Sequence, residues 1–494
     1  MSKYLKIPQL LLAMALLPGL VAAQNADDAL RYNLTNPSFD AASMVIPGVA
    51  YPSGLGSVVE NPAALALFER SYFSFGLSNR NVSEESVFLG TDNTFDDNQL
   101  NIGDIGLVYK IPTQRGSMVL GGSFVQSNDF NRALGIDVRN NRSTLTDFYN
   151  ITADDALFDA AFNVYAVDYA DVDSTFTESI FRIGFAPGNW PGITQDVELT
   201  ERGRMGEYSA FFATEFQKNF MIGASLGVTT GEYSYRREFL EIDTNNDYDG
   251  NFIDSDNDGI GDTDIDNILS IDTIDANIRA FRLRVGALYK FSYLNIGASY
   301  QFQSRLNVEE EFNTRLTTTF DNGEQFFDEA PGVFSYDVVH PSRLNVGIAL
   351  DDLRGLTVSA SAERIDYSEA EMDFGDADPG GELSENRFIE SEFEEVYNLR
   401  AGLAYRINDQ FTPRVGYAYY PSPRKSFDAS RTFYSGGFEY KFNSQFAFNL
   451  GLQYATWEDR NRLYTFDNGI SLQDEVAGEE VTRWHVMGGI RVTF

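Results

Sequence analysis

The sequence predicts an all-β fold, a transmembrane antiparallel β-barrel of about fourteen strands. Three observations predict it. Apolar and polar residues alternate along many segments, and the links between those segments are tight and long in turn. Beyond the first residues, no run of about twenty apolar residues is present to cross a membrane as a helix. The composition agrees, because 14% of the 494 residues are aromatic, and such side chains favour strands and membrane–water interfaces. A formal net charge of -36 argues against nucleic acid as a partner, since neutralising phosphates needs a surplus of Lys and Arg. With no cysteine, disulfides and thiolate metal sites are excluded.

The chain opens with "MSKYLKIPQLLLAMALLPGLVAAQNADD". Lys3 and Lys6 precede an apolar core from Leu10 to Leu17, and Val21-Ala22-Ala23 follows. This order of charge, apolar run and small residues predicts a secretory signal over residues 1–23, cut before Gln24. Residues 24–69 are not strand-like. Pro37, Gly48, Pro52, Gly54, Gly56 and Pro62 punctuate small apolar residues there. Such a compact, turn-rich piece suits a plug inside the lumen of a barrel too wide for its own side chains to fill.

Residues 70–494 form the predicted barrel. In "VTRWHVMGGIRVTF", Trp484, Val486, Gly488, Ile490, Val492 and Phe494 share one face, opposite Arg483, His485, Met487, Gly489, Arg491 and Thr493. In "NIRAFRLRVGALYKF", Phe281, Leu283, Val285, Ala287, Tyr289 and Phe291 oppose Arg282, Arg284 and Lys290. "VYNLRAGLAYRI" repeats the pattern with Arg400 and Arg406 on its polar face. Full charges on one face and aromatic-rimmed apolar residues on the other indicate lipid outside and water or ligand inside.

Strands are expected at 70–82, 99–111, 117–131, 205–217, 219–235, 277–291, 293–310, 334–350, 355–372, 394–408, 410–421, 431–442, 444–459 and 480–494. The short links between them include "PTQRG", "DDLRG", "NDQ" and "NSQ". The long ones are 83–98, 132–204, 236–276, 311–333, 373–393, 422–430 and 460–479, with 132–204 and 236–276 the largest. Short periplasmic turns alternating with long outer loops are the pattern of Gram-negative outer-membrane barrels. Most of the acidic residues fall in these loops, and "TADDALFDAAFNVYAVDYA" suggests one or two short helices over the mouth, or an irregular capping loop.

At "SGLGSVVENPAALALFERSYFSFGL" the chain resembles the N-terminal hatch and first strand of the FadL-type outer-membrane transporters of long-chain fatty acids and aromatic hydrocarbons. The resemblance rests on Gly54, Gly56, Asn61-Pro62-Ala63, Phe68 and the alternating strand from Ser71. It extends as architecture over the mature chain, including C-terminal Phe494 as an assembly signal. "ERGRMGEYSAFFATEFQKNFMIGASLGV" is also similar to the fourth and fifth strands of members from gliding-bacterium lineages, whereas the large acidic loops depart from the family's pattern. The resemblance implies passive uptake of a hydrophobic small molecule, which enters above the hatch and leaves sideways between strands. It implies outer-membrane lipid, lipopolysaccharide and the barrel-assembly machinery as partners, and no required cofactor. A second family role remains open, that of a scaffold or shuttle barrel holding client proteins of a secretion system through its outer loops.

Candidate sites follow. Gly121 and Gly122 either permit a kink that opens a lateral gate or only make room for the plug. In "DTNNDYDGNFIDSDNDGIGDTDID", residues 243–266, the side chains of Asn245, Asp247, Asp249, Asp254, Asp256, Asp258 and Asp262 alternate as oxygen ligands of a structural Ca²⁺ would, or form a merely solvated acidic loop. Arg282, Arg284, Arg400 and Arg406 either contact a substrate carboxylate or pair with acids of the wall or plug. The only histidines, His340 and His485, sit in no hydrolase pattern, so no enzyme activity is expected.

Overall fold

The computed structural model describes residues 25–494 apart from 35, 153–155, 172, 186–188, 249, 251–252 and 255–259. The expected signal segment lies outside the described residues. Fourteen wall strands form one closed antiparallel sheet. They are β1 (Tyr72–Phe88), β2 (Thr91–Ile111), β3 (Met118–Asp129, resumed at Arg132–Asn140), β4 (Ile193–Gln217) and β5 (Phe220–Ile242). Next come β6 (Ile265–Phe291), β7 (Leu294–Gln301 and Ser304–Phe320), β8 (Gln325–His340 and Arg343–Leu353) and β9 (Leu356–Asp366, with Glu371–Asp373). The circuit ends with β10 (Glu395–Tyr405), β11 (Phe411–Tyr420), β12 (Arg431–Lys441), β13 (Phe446–Asp467) and β14 (Leu472–Thr493). It closes where β1 pairs with β14, from Tyr72↔Thr493 to Val87↔Gly478.

The two faces divide as the alternation requires. Phe281 is 69% exposed and Trp484 51%, whereas Arg284 on the inner face is 2% exposed. The inner turns are short. Between β8 and β9 the chain reverses at Arg354 and Gly355, with φ of 57° and 85°, the doubly positive pair that a two-residue hairpin needs.

The outer ends differ from expectation. The links expected at 83–98, 311–333 and 460–479 are mostly strand. β1 and β2 meet at Leu89-Gly90, β7 and β8 at 321–324, and β13 and β14 at 468–471. The expected loop 132–204 shrinks to 141–192, because Arg132↔Glu201 through Asn140↔Ile193 are paired. Likewise 236–276 shrinks to 243–264. Above the membrane a strand has no lipid-facing side, so "TDNTFDDNQLN" carries no apolar face to mark it. The long loop contains helices α3 (Leu145–Ile151) and α4 (Ala156–Asn163). Thr144 and Asp147 cap α3 reciprocally, and α3 packs on β13 while α4 packs on β8. The connection from β9 to β10 contains α5 (Pro379–Glu392).

The segment before β1 packs against inward-facing residues of the wall. It holds α1 (Ala26–Asn33), α2 (Gly56–Glu60) and a 3₁₀ turn, Pro62–Leu67. Wall hydroxyls donate to its backbone, Ser225 to Val58 O at 3.1 Å and Ser359 to Pro47 O at 2.9 Å. Two inward wall glycines allow close approach. A Cβ on Gly286 would strike Asn61, and one on Gly402 would strike the Val45 carbonyl.

Candidate functional site

Asn61 is the pivot of the motif that suggested a hatch. Its side-chain Oδ1 accepts from Ala63 N at 3.0 Å, and its Nδ2 donates to Val49 O at 2.6 Å and to Ala287 O of β6 at 3.2 Å. Pro62 at the first position of the 3₁₀ turn lacks the N–H that would be orphaned there. Gly56 N donates to Asp40 at 2.6 Å, and Gly54 also lies against the Asp40 carboxylate. Sequence reasoning passed over Asp40 and Glu60, although the latter is the anchor. Buried Glu60 pairs with Arg400 and accepts from Gly48 N.

The predicted arginines separate. Arg284 is held by Glu207 at 2.5 and 2.8 Å and by Gln301 at 2.8 Å. Arg400 bonds to the N-terminal segment at Glu60 and at the Pro37 and Ser43 carbonyls. Arg406 lies at the inner rim, bonded to Asp352 at 2.7 and 2.8 Å. Of these four, only Arg282 lines a cavity without an ion-pair partner among the described residues. Asn245, Asp247, Asp254 and Asp262 fall among the described residues, where Asp247 pairs with Arg139 at 2.5 Å and no cluster of three acidic or histidine side chains is arranged to hold a metal. Asp249, Asp256 and Asp258 lie outside them.

Gly121 and Gly122 do not mark a break in the wall. Each is paired on both edges, Gly121 with Val108 and Phe211, Gly122 with Leu107 and Ala210. The β2–β3 ladder instead ends at Asp104↔Val125, and β3 is irregular from Gln126 to Arg132. From there β3 steps to the inner face of the β1–β2 hairpin. Ser86 donates to Gly135 O at 2.6 Å, and Arg132 Nε donates to Glu84 at 3.3 Å. Among the described residues, 91–103 of β2 therefore have β1 on one edge and no backbone ladder on the other. Side chains of β4 span the gap, Arg204 to Asn101 at 2.7 Å and Arg202 to Asp97 at 3.6 Å.

Behind this break lies a cavity of about 320 Å³ between the N-terminal segment and strands β1, β3, β5, β13 and β14. Leu30, Leu34, Phe130, Phe148 and Leu463 give it an apolar side. Its charged lining runs against the chain as a whole, with eight arginines and five carboxylates. Arg483 stacks on Trp457 and Phe433, and Arg431 on Tyr420 and Phe433. One hydrogen-bond network joins cavity, segment and break. Asn36 donates to Asn128 at 3.1 Å and accepts from Arg483 at 3.0 Å, while Asp129 takes Arg80 at 2.7 Å.

The α1 helix borders this cavity and holds a strained charge. Burial pushes the Asp28 carboxyl up to about 7, partly offset by Arg31 and reinforced by Glu310. The folded chain then binds a proton that the unfolded chain, with an aspartate near 3.9, has lost. Stability from this group therefore falls as pH rises from about 4 through about 7. Amide exchange in α1 is expected to be on the order of a hundredfold faster at pH 8 than at pH 5, after correction for intrinsic rates, since about two pH units separate pH 5 from the raised value and each is tenfold. Asp28→Asn should abolish the difference; an unchanged pH profile in that variant contradicts the assignment.

Comparisons place the barrel among known proteins. The toluene transporter TodX of P. putida superposes with a TM-score of 0.56 at 14% identity, covering 93% of this chain and 99% of that one. A FadL homologue of Pseudomonas aeruginosa gives 0.52 at 13% identity, covering 92% and 99%. At these identities the likeness concerns the fold. No curated protein sequence matches the chain. Residues 215–488, more than half of the chain, match the family described as outer membrane protein transport protein (OMPP1/FadL/TodX). The chain belongs to that family, and it is an outer-membrane transport protein rather than an enzyme.

Proposed function

We propose that this barrel takes up acidic amphiphiles, long-chain carboxylates in chemical class, by passive diffusion through the lumen and out through the gap between β2 and the β3–β4 edge. The observation that carries the reading is the arginine surplus around an apolar-sided cavity in a chain of net charge -36. A neutral aromatic hydrocarbon has no use for guanidinium groups, whereas a carboxylate forms charge-assisted bonds with them. The lateral route is supported by the absence of a backbone ladder beside that cavity. A scaffold that holds client proteins by its outer loops needs neither feature. In the same proposal the segment 24–69 acts as the hatch, Phe494, whose N–H donates to Ser71 O at 3.0 Å, serves barrel assembly, and the acidic outer loops face lipopolysaccharide.

Uptake by a strain lacking the chain and re-supplied with it tests the reading. A labelled long-chain carboxylate should enter saturably, its methyl ester and an alkylbenzene much less. Equal uptake of acid and ester defeats the proposal. Arg431→Gln with Arg462→Gln, both lining the cavity, should weaken carboxylate binding on the order of tenfold or more, since a hydrogen bond to a charged group contributes about 1.5–3 kcal/mol. Ester binding should stay unchanged.

A further inference from the structure

A second, smaller cavity of about 40 Å³ lies between the N-terminal segment and the wall. Two adjacent strands are broken at its level. The β7 ladder skips 302–303 and the β8 ladder skips 341–342, where Pro341 has no N–H to give. Irregularities of this kind re-aim side chains, and here His340 and Arg343 on either side of the break are both buried. The charges around the cavity do not balance. Arg284 pairs with Glu207, Arg400 with Glu60, and Arg343 faces Glu363 at 3.8 Å. Arg282 is 4% exposed, has no carboxylate within 4.0 Å among the described residues, and its Nε finds no acceptor. His340, in the field of Arg282 and Arg343, is wholly buried with both ring nitrogens lacking a protein partner, and the Gln301 amide nitrogen lacks one too.

A guanidinium does not shed its proton in a protein, and a buried charge without a counter-charge is costly. The cavity exceeds the ~10–15 Å³ that one water needs, yet it is too small for a carboxylate with a hydrocarbon tail. We propose that it binds one monatomic anion of the halide class, chloride in an ordinary medium, held by Arg282 with donors from Arg343 and Gln301, which line the cavity beside it. The ion neutralises the wall where the strand breaks meet Val49, Val59 and Glu60 of the N-terminal segment. This site is independent of the transported molecule.

The test uses the full mature chain in detergent. Crystals grown with bromide should show one anomalous peak within hydrogen-bond distance of Arg282. Unfolding should shift upward by several degrees as bromide replaces gluconate at constant ionic strength, and Arg282→Met should lose both peak and shift. A site filled by water alone in the bromide crystals overturns the proposal, as does a bromide-dependent shift that persists in Arg282→Met. Should that variant fail to fold, the bromide density of the wild-type chain decides alone.

Discussion

Cysteines at Asn101 and Arg204, joined by a short bis-maleimide, are expected to cut uptake on the order of tenfold or more, the drop that an added barrier of about 1.4 kcal/mol produces. Each single variant should transport normally. The chain has no cysteine of its own, so labelling is confined to the pair. The reasoning concerns what holds the gap shut. Where β2 still pairs with β3, from Asp104↔Val125 to Ile111↔Met118, a ladder of backbone bonds would have to open, with buried donors and acceptors left unpaired in lipid. Between β2 and β4, among the described residues, the links are side-chain contacts, Arg204 to Asn101 and Arg202 to Asp97. Exposed pairs of this kind contribute about 0–1 kcal/mol. In the proposed route a gap closed so weakly would open thermally, and a covalent bridge would stop it. Undiminished uptake by the bridged protein would place the exit elsewhere and remove the lateral route.

The fold was legible wherever lipid imposes a pattern. Strands β6, β10 and β14 announced themselves because a residue such as Phe281 must face hydrocarbon while its neighbour Arg282 must not. The same argument explains the failures. The upper half of β2 meets water on its outer side, so "TDNTFDDNQ" reads as loop although it is strand. The wall break eluded the sequence for a different reason. Gly121 and Gly122 carry a local signal for weakness, yet the break is the loss of a partner strand, fixed by where β3 turns inward at 126–132. No local composition encodes that. The site was legible in part. The inward arginines were found, but which of them meet acids depends on neighbours far apart in sequence. Arg400 turned out to hold the N-terminal segment, while Arg431 and Arg462, set in loop-like or polar surroundings, line the larger cavity.

The second large effect concerns that hold. Arg400→Met should loosen the N-terminal segment and make the barrel leaky, seen as sensitivity to large hydrophilic antibiotics and as raised conductance in planar bilayers. Arg400 binds the segment at three points, the Glu60 carboxylate and the carbonyls of Pro37 and Ser43. Glu60 is itself buried, and its other oxygen accepts from Gly48 N. Removing the arginine strands this carboxylate in the lumen, and breaking one partner of a buried pair costs about 3–5 kcal/mol. Glu60→Gln in the same chain removes the stranded charge while keeping an acceptor for Gly48. The double variant should therefore leak less than Arg400→Met alone, the sign of coupling that a double-mutant cycle detects. If instead Arg400→Met conducts no more than the parent barrel, the segment is secured by its apolar packing and its Asn61 contacts, and the ion pair has no part in closing the lumen.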